Sequence, residues 1–188
     1  MAKTAGGVRG NTNSKQSRAI SVAESTIRQN RYETAVAYDS KGNLLLNKKG
    51  GSRSVRMTND EVARLKDSVF THNHPSALGK TGSGAIGYSF SHQDLTFAVN
   101  ANVKEMRAVT STYTFSVKRP KNGWGATPKQ VRDAYAEAER AVKRQTQAYL
   151  NKVGRTPTSI NRANVNHYNQ INKRVAQKFG WEYSHKRK

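Results

Sequence analysis

One stretch of the sequence, Ser68-Val-Phe-Thr-His-Asn-His-Pro75, decides the fold. Its apolar and β-branched residues predict a buried strand over 68–74, and Pro75 ends that strand because proline cannot donate to a strand ladder. Side chains two residues apart project from the same face of a strand, so His72 and His74 should point the same way. Two neutral imidazoles at this spacing can hold one divalent metal ion, and zinc suits a mixture of nitrogen and oxygen ligands.

A helix that follows this strand can supply a further ligand. Ser91-His-Gln-Asp94 has the pattern of a capping box, in which the first and fourth side chains satisfy backbone N–H groups at a helix start. A catalytic zinc site needs a third protein ligand and an open position for water. Asp94, in the first turn of the predicted helix, is the candidate for that third ligand.

Together these motifs resemble the signature of the JAMM (MPN/JAB) metallopeptidase superfamily, which is a Glu, then His-x-His-Pro, then Ser-x-x-Asp. Glu33, 39 residues before His72, takes the place of the first Glu. The resemblance covers about residues 24–120 and is greatest to the bacterial and phage branch, whose domains occur within or beside phage head-morphogenesis proteins. One departure is the interval from Pro75 to Ser91, which is longer than the family's usual gap and contains a Gly-rich insertion at 78–88.

The resemblance implies an α/β fold with a mixed, cytidine-deaminase-like sheet flanked by helices. It also implies that zinc is bound by His72, His74 and Asp94. Glu33 would be the general base, and Ser91 would stabilise the oxyanion. The implied reaction is hydrolysis of a peptide or isopeptide amide, so the implied partner is a peptide or protein substrate.

Other interpretations of these residues stay open. Glu33 could be a solvated carboxylate at the start of a strand, in which case Glu24 is the alternative base and Glu105 a weaker one. Asp94 could act only as part of a helix cap, although capping and metal binding can use different oxygens. His92 is expected to face solvent.

The rest of the first two thirds of the chain predicts alternating strands and helices. Strands are expected at 33–38, 44–46, 54–57, 105–110 and 113–118, helices at 22–30 and 58–66, and a loop at 77–88. This mixed order is typical of an α/β or α+β sandwich.

Beyond Pro120 the sequence predicts a basic helical hairpin. Thr127-Pro128 is an N-cap followed by proline at the first helical position. Apolar residues then recur at helical spacing on both sides of Gly154, and Gly180 ends the second helix. We therefore expect three parts, which are a disordered basic arm at 1–18, the metallohydrolase domain at 19–119 and a hairpin appendage at 120–188.

The charge is concentrated at the two ends of the chain. The net charge is +21, and the basic surplus is 4 in residues 1–18, 5 in 19–118 and 12 in 119–188. Such segments attract polyanions, so nucleic acid is an expected partner through phosphate contacts without base specificity. The residues expected to make these contacts are Arg132, Arg140, Lys143, Arg144, Lys173, Arg174, Lys186, Arg187 and Lys188.

Composition narrows the remaining possibilities. The chain has no cysteine, so disulfides are excluded and a metal site must use histidine and carboxylate ligands. No apolar stretch approaches the ~20 residues that span a bilayer. The N-terminal residues lack the apolar segment of a secretory signal. We expect a protein of the cytoplasm, or one packaged in a virion assembled there, with no membrane partner.

Three functional hypotheses follow from the sequence. The first is a zinc-dependent peptidase or isopeptidase of phage or mobile-element type, with ends that associate with nucleic acid. The second is a non-catalytic structural or DNA-associated virion protein that contacts other virion proteins. The third is a nucleic-acid-processing role, since one JAMM branch is associated with DNA repair.

Overall fold

A computed structural model describes residues 13–75 and 88–188 of the chain. The helices are α1 (Asn13–Ile27), α2 (Asn59–Ala63), α3 (His92–Asn100), α4 (Pro128–Val153) and α5 (Pro157–Phe179). The strands are β1 (Thr34–Tyr38), β2 (Leu44–Lys49), β3 (Val69–Asn73), β4 (Glu105–Val109), β5 (Tyr113–Lys118) and β6 (Glu182–Arg187). They form one six-stranded sheet in the order β2-β1-β3-β4-β5-β6. The β3–β4 pair is parallel and the other four pairs are antiparallel, so the predicted mixed α/β sheet flanked by helices is confirmed.

Side-chain caps set where four of the helices begin. Each start has a capping box, and the N-cap residues are Thr58, Ser91, Thr127 and Thr156. At the other end of α5, Gly180 has a φ of 69°, the left-handed conformation that glycine adopts without steric cost. The helix starts predicted at Thr58, Ser91 and Thr127, and the helix end predicted at Gly180, are confirmed.

The sheet is covered on both faces. On one face, Ala23 and Ile27 of α1 pack against Val36 of β1 and Val109 of β4. On the other face, α3, α4 and α5 enclose the larger core, which includes Phe70 of β3 and the side chains of several residues from each helix. His72 follows Phe70 by two residues in β3, so it points into this larger, helix-covered side.

The first helix begins earlier than the sequence predicted. A helix was expected at 22–30, but α1 starts at Asn13, so the part of the expected arm at 1–18 that the structure describes is helical. Residues 1–12 lie outside the described residues. The reason for the early start is tertiary, because the buried Gln16 side chain donates a hydrogen bond of 2.6 Å to the Asp39 carbonyl.

The strand expected at 54–57 is wrong. These residues pair with no strand among those described and form an irregular segment between β2 and α2. Val55 and Met57 nevertheless pack against the larger core. Their alternating pattern therefore arises from contact with the core, and no neighbouring strand is needed to explain it.

Residues on both sides of the predicted boundary between 19–119 and 120–188 share one core and one sheet. Trp124, Val131, Ile171 and Trp181 belong to the same buried cluster as the residues of the central strands. The last residues of the chain form β6, which pairs with β5 in an antiparallel register and extends the sheet. The charged sequence of β6 gave no strand signal, because that strand lies at the edge and most of its side chains are exposed.

None of the helices described in 13–75 and 88–188 combines the length and apolar character needed to cross a bilayer. The loop predicted at 77–88, and with it the Gly-rich insertion, lies outside the described residues apart from Tyr88.

Candidate metal centre

The end of β3 brings two imidazoles to one point. The Nε2 atoms of His72 and His74 are 2.9 Å apart, as the same-face spacing along a strand predicts. His72 lies in the middle of the sheet, paired with Ala35 of β1 and Ala108 of β4, and its ring is buried. His74 is half-buried, just beyond the end of the strand.

Asp94 reaches the same point from the first turn of α3. Its Oδ1 atom lies 3.3 Å from His72 Nε2, and its Oδ2 atom lies 3.8 Å from His74 Nε2. The backbone N–H and the hydroxyl of Ser91 each donate a 2.8 Å hydrogen bond to Oδ2. The capping box therefore orients the carboxylate, with one oxygen occupied by the cap and the other facing His72.

Glu33, just before β1, is held beside the imidazoles by its backbone. Its N–H donates to the Gly51 carbonyl and its carbonyl accepts from the Gly50 N–H, both at 2.7 Å. A Cβ atom at Gly50 would lie 2.2 Å from the Ser54 carbonyl oxygen, so this close approach needs glycine. The Glu33 side chain is buried, and its Oε1 atom lies 3.9 Å from His72 Nε2.

These side chains form a cluster that could hold a metal ion. One ligand atom from each of Glu33, His72 and His74 lies within 4.8 Å of the other two. Asp94 offers a second choice of carboxylate, and its oxygen is closer to His72 Nε2 than that of Glu33, at 3.3 Å against 3.9 Å. Both donor sets share the two imidazoles and differ in the carboxylate that completes them.

The charges in this cluster shift one another's proton affinities. Burial raises the pKa of Glu33, and the nearby His72 opposes that effect. Burial alone would lower the pKa of His72, but the Asp94 and Glu33 carboxylates outweigh it and the pKa is raised. The pKa of His74 is lowered by burial and by His72. Burial would raise the pKa of Asp94, but the two imidazoles hold it well below its usual range.

The two rings are oriented differently. Nδ1–H of His74 donates a 2.7 Å hydrogen bond to the Tyr88 carbonyl, which directs the lone pair of Nε2 towards the cluster. Nδ1 of His72 is buried and makes no hydrogen bond of standard geometry. The nearby backbone of Arg107 nevertheless contributes to the raised pKa of the His72 ring.

Two cavities of about 500 Å³ each meet at the cluster. One is lined by His72 and the other by His74 and Tyr88, and both are lined by Glu33, Ser91 and Asp94. The cluster can therefore be approached from two sides. This arrangement suits a site that binds an extended chain across it.

Hydrogen bonds from the C-terminal part of the chain hold the segment from Tyr88 to Ser91 in place. The Phe90 carbonyl accepts hydrogen bonds from the Tyr135 hydroxyl at 3.2 Å and from the Asn172 amide at 2.9 Å. The hydroxyls of Ser89 and Tyr183 are 2.8 Å apart. Sequence reasoning missed these contacts, because each partner lies at least 45 residues from the residue that it contacts and none carries a local motif.

Asn73, the middle residue of the His-Asn-His motif, was also missed. Its side chain is fully buried and accepts a 2.7 Å hydrogen bond from the Thr34 N–H. It also donates to the carbonyls of Asn30 and Tyr32 at 3.2 and 3.1 Å. Asn73 therefore fixes the turn that carries Glu33. The sequence did offer a signal for this role, because Asn73 is a polar residue in a strand that was predicted to be buried.

The structure places the alternative bases away from the cluster. Glu24 accepts hydrogen bonds from Thr71 at 3.1 Å and from Arg107 at 2.6 Å. Glu105 accepts from Arg107 at 2.8 Å. Thr71 alternates with His72 along β3 and so faces the opposite side of the sheet. Glu24 and Glu105 are therefore part of a structural ion-pair network beneath α1.

Most of the basic residues singled out in the sequence are exposed. Arg174 is half-buried, and the other eight residues of the set lie on the surface of α4, α5 and the C-terminal residues 186–188. Within 13–75 and 88–188, none of the nine forms an ion pair with a carboxylate. Their charge is therefore available to an external partner.

His92, expected to face solvent, is half-buried, and its ring centroid lies 5.9 Å from that of Tyr135.

Comparison of the chain with protein-family models, with curated proteins and with solved structures gives no match.

Proposed function

We propose that this chain is a zinc-dependent hydrolase of peptide or isopeptide amides, of the JAMM type that its motifs resemble. The observation that carries the proposal is the convergence of two imidazoles and two carboxylates, from three separate segments, on one point beside two cavities. In this proposal His72, His74 and Asp94 hold the metal, and Glu33 is the general base.

The distances support zinc on His72, His74 and Asp94. Ligand atoms of a tetrahedral site with bonds of about 2.0–2.1 Å lie roughly 3.3 Å apart. The His72–His74 and His72–Asp94 separations, 2.9 and 3.3 Å, are close to that value. The Glu33 separation from His72 is 3.9 Å, and the separation of Asp94 Oδ2 from His74 is similar, at 3.8 Å. The assignment of Asp94 as the ligand and of Glu33 as its neighbour therefore rests on the short Asp94–His72 distance and on the motif order of the family that the sequence resembles.

Hydrolysis requires a nucleophile, a proton carrier and a group that stabilises charge on the amide oxygen. Bound zinc would lower the pKa of water towards about 7 and polarise the amide carbonyl. Glu33 takes a proton from the attacking water as its oxygen bonds to the amide carbon. As the carbon–nitrogen bond breaks, Glu33 gives that proton to the leaving amine. The raised pKa of Glu33 suits a group that must both accept and return a proton.

Ser91 supports this chemistry in two ways. Its backbone N–H and its hydroxyl both donate to Asp94, which keeps the carboxylate oriented. When substrate is bound, the hydroxyl could instead donate to the oxyanion of the tetrahedral intermediate, while the backbone N–H keeps its bond to Asp94. Ser91 lines both cavities, so its hydroxyl is within reach of a chain that crosses either one.

The experiment that tests the proposal compares metal content with turnover. We expect stoichiometric zinc in the full chain and its loss in the His72→Ala/His74→Ala variant. A His167→Ala/His185→Ala variant, which removes two histidines outside the cluster, should keep its zinc. Glu33→Gln should retain zinc but lower amide hydrolysis by at least about 100-fold, the usual contribution of a general base. Full hydrolysis by Glu33→Gln would contradict the assignment of the base, and absence of zinc from the unaltered chain would contradict the metal site.

We also propose that nucleic acid binds the basic surface of α4, α5 and residues 186–188 through phosphate contacts. The support is the exposure of Arg132, Arg140, Lys143, Arg144 and Lys173 without carboxylate partners among the described residues. A surface of this kind binds polyanions without reading bases. It would also serve the alternative function, a DNA-associated structural protein of a virion, in which the metal cluster has no catalytic role.

A further inference from the structure

The cavity on the His72 side of the metal cluster has both a polar and an apolar lining. The polar side chains are those of Glu33, Arg53, Ser54, His72, Ser91, Gln93 and Asp94. The apolar ones are Ala35, Val55, Met57, Phe70, Phe97 and Met106, and the centroid of the Phe70 ring lies 5.8 Å from that of His72. The polar cluster therefore opens directly into an apolar compartment within a single cavity of about 500 Å³, the size range of small-molecule sites.

The floor of the apolar compartment is part of the central sheet. Phe70 precedes His72 by two residues in β3, so both side chains lie in one row on the same face. Met106 of β4 is the register partner of Phe70. Both side chains are almost fully buried, which makes the floor rigid. The distance from the metal cluster to this floor is therefore set by the strand repeat.

Two walls rise from that floor. Phe97 of α3 packs on Phe70, with ring centroids 5.1 Å apart, and forms one wall. Val55 and Met57, from the irregular segment before α2, form the other. Val55, Met57 and Phe97 are only half-buried, although they pack against the larger core. An additional apolar side chain that enters here would cover apolar surface that the folded chain leaves accessible to water.

We infer that this compartment is a specificity pocket that takes one large apolar side chain, such as Leu, Met or Phe, from the residue next to the cleaved amide. The inference rests on the proposed amide hydrolysis and specifies its substrate class. The pocket opens beside His72 and Asp94, so a residue whose side chain enters it has its own backbone amide at the metal cluster. The second cavity, lined by Ser52, Ser89 and Tyr168, offers a more polar path for the chain on the other side of the amide.

The test uses the zinc-loaded full chain and peptides that differ at one residue beside a single cleavable amide. We expect kcat/KM to be about 10–100-fold higher with Leu, Met or Phe than with Ser or Asn at that residue. Val55→Phe should fill the pocket and reduce the preference to within about threefold. The matched control is Val22→Phe, because Val22 is 68 % exposed on α1, on the opposite face of the sheet. Phe97→Ala should have the opposite effect and admit a naphthylalanine side chain that the unaltered protein rejects.

A binding measurement separates the pocket from the catalysis. N-acetyl-leucinamide and N-acetyl-serinamide are titrated into the full chain, and NMR shifts of the Met57 methyl group report on the pocket. Saturable shifts with the leucine compound alone, lost in Val55→Phe, support the pocket even if no peptide is cleaved, in which case the proposed hydrolysis is what fails. Hydrolysis without apolar preference, or with a preference unchanged in Val55→Phe, overturns the pocket and leaves the hydrolysis standing. Absence of both hydrolysis and leucine-compound binding overturns both.

Discussion

The Tyr183 hydroxyl on β6 accepts a 2.8 Å hydrogen bond from the Ser89 hydroxyl and donates one of 2.6 Å to the side-chain oxygen of Asn169 of α5. Ser89 is adjacent to Tyr88, whose carbonyl accepts from His74. The last strand and the last helix of the chain therefore support the segment that orients a predicted metal ligand. Groups that orient metal ligands from outside the coordination sphere typically contribute 10–100-fold to metal affinity.

Replacing Tyr183 by Phe should weaken this support without opening a cavity. Ser89 is buried and would lose its partner, so we expect a free energy of unfolding lower by about 1 kcal/mol. Because Tyr183 acts on His74 only through Tyr88 and Ser89, the loss of zinc affinity should be near the lower end of the range, about 10-fold. Competition with a chelator measures the zinc affinity of each variant. Tyr149→Phe, at a half-buried position of α4 that lines neither cavity beside the cluster, is the matched control, and equal affinities for the two variants would contradict the proposed support.

Replacing Asn73 by Ala should disorganise the turn that carries Glu33. The change removes three hydrogen bonds and leaves the buried Thr34 N–H without its acceptor. We therefore expect the free energy of unfolding to fall by about 3 kcal/mol. Urea denaturation measures this loss. Asn100→Ala, at an exposed position of α3, should change the stability by less than about 0.5 kcal/mol. A similar small effect of both substitutions would show that Asn73 does not fix the turn.

A chain cut after Arg119 should not fold. It would lose Trp124, Val131, Ile171 and Trp181 from the core, and domains of this size are stable by only about 5–15 kcal/mol. We therefore expect no cooperative thermal transition by circular dichroism, whereas the full chain should give a single transition. A cooperative transition in the shortened chain would mean that residues 120–188 are an independent appendage after all.

Binding of nucleic acid should depend strongly on salt and on α4. Reversing two charges, in Lys143→Glu/Arg144→Glu, should reduce affinity for a short random-sequence DNA duplex and lower the slope of log affinity against log salt by about 2. Lys41→Glu/Lys66→Glu, with the same change in net charge on other exposed residues, should have the smaller effect. Fluorescence anisotropy at several salt concentrations provides the comparison. Equal effects would indicate a response to net charge alone, with no binding surface on α4.

The clustering of His72, His74 and Asp94 was predictable because its signals are local. His72 and His74 share a strand face, and Asp94 is in a capping box, so short-range spacing placed each side chain correctly on its own element. Glu33 required the resemblance to a family, since a single carboxylate before a strand has no distinctive spacing. Its position beside His72 depends on Asn73 and on the close approach at Gly50, which are tertiary contacts.

The errors in the predicted fold share a physical cause. The early start of α1 depends on the buried Gln16, a polar residue that sequence patterns assign to solvent. The irregular segment with Val55 and Met57 has the apolar alternation of a strand but no partner. Strand β6 has a partner but no apolar alternation, because the backbone of β5 holds it at the sheet edge. In each case long-range contacts outweighed local preference.

The position of Tyr183 in the chain has a consequence for synthesis. Asp94 precedes Tyr183 by 89 residues, so ribosomes that add about 5–20 residues per second complete the ligands roughly 4–18 s before the strand that supports them. During that interval the growing chain contains His72, His74 and Asp94 but lacks the hydrogen bond from Ser89 to Tyr183 that supports their arrangement. The cluster can therefore reach its final geometry only after β6 has been synthesised and has paired with β5.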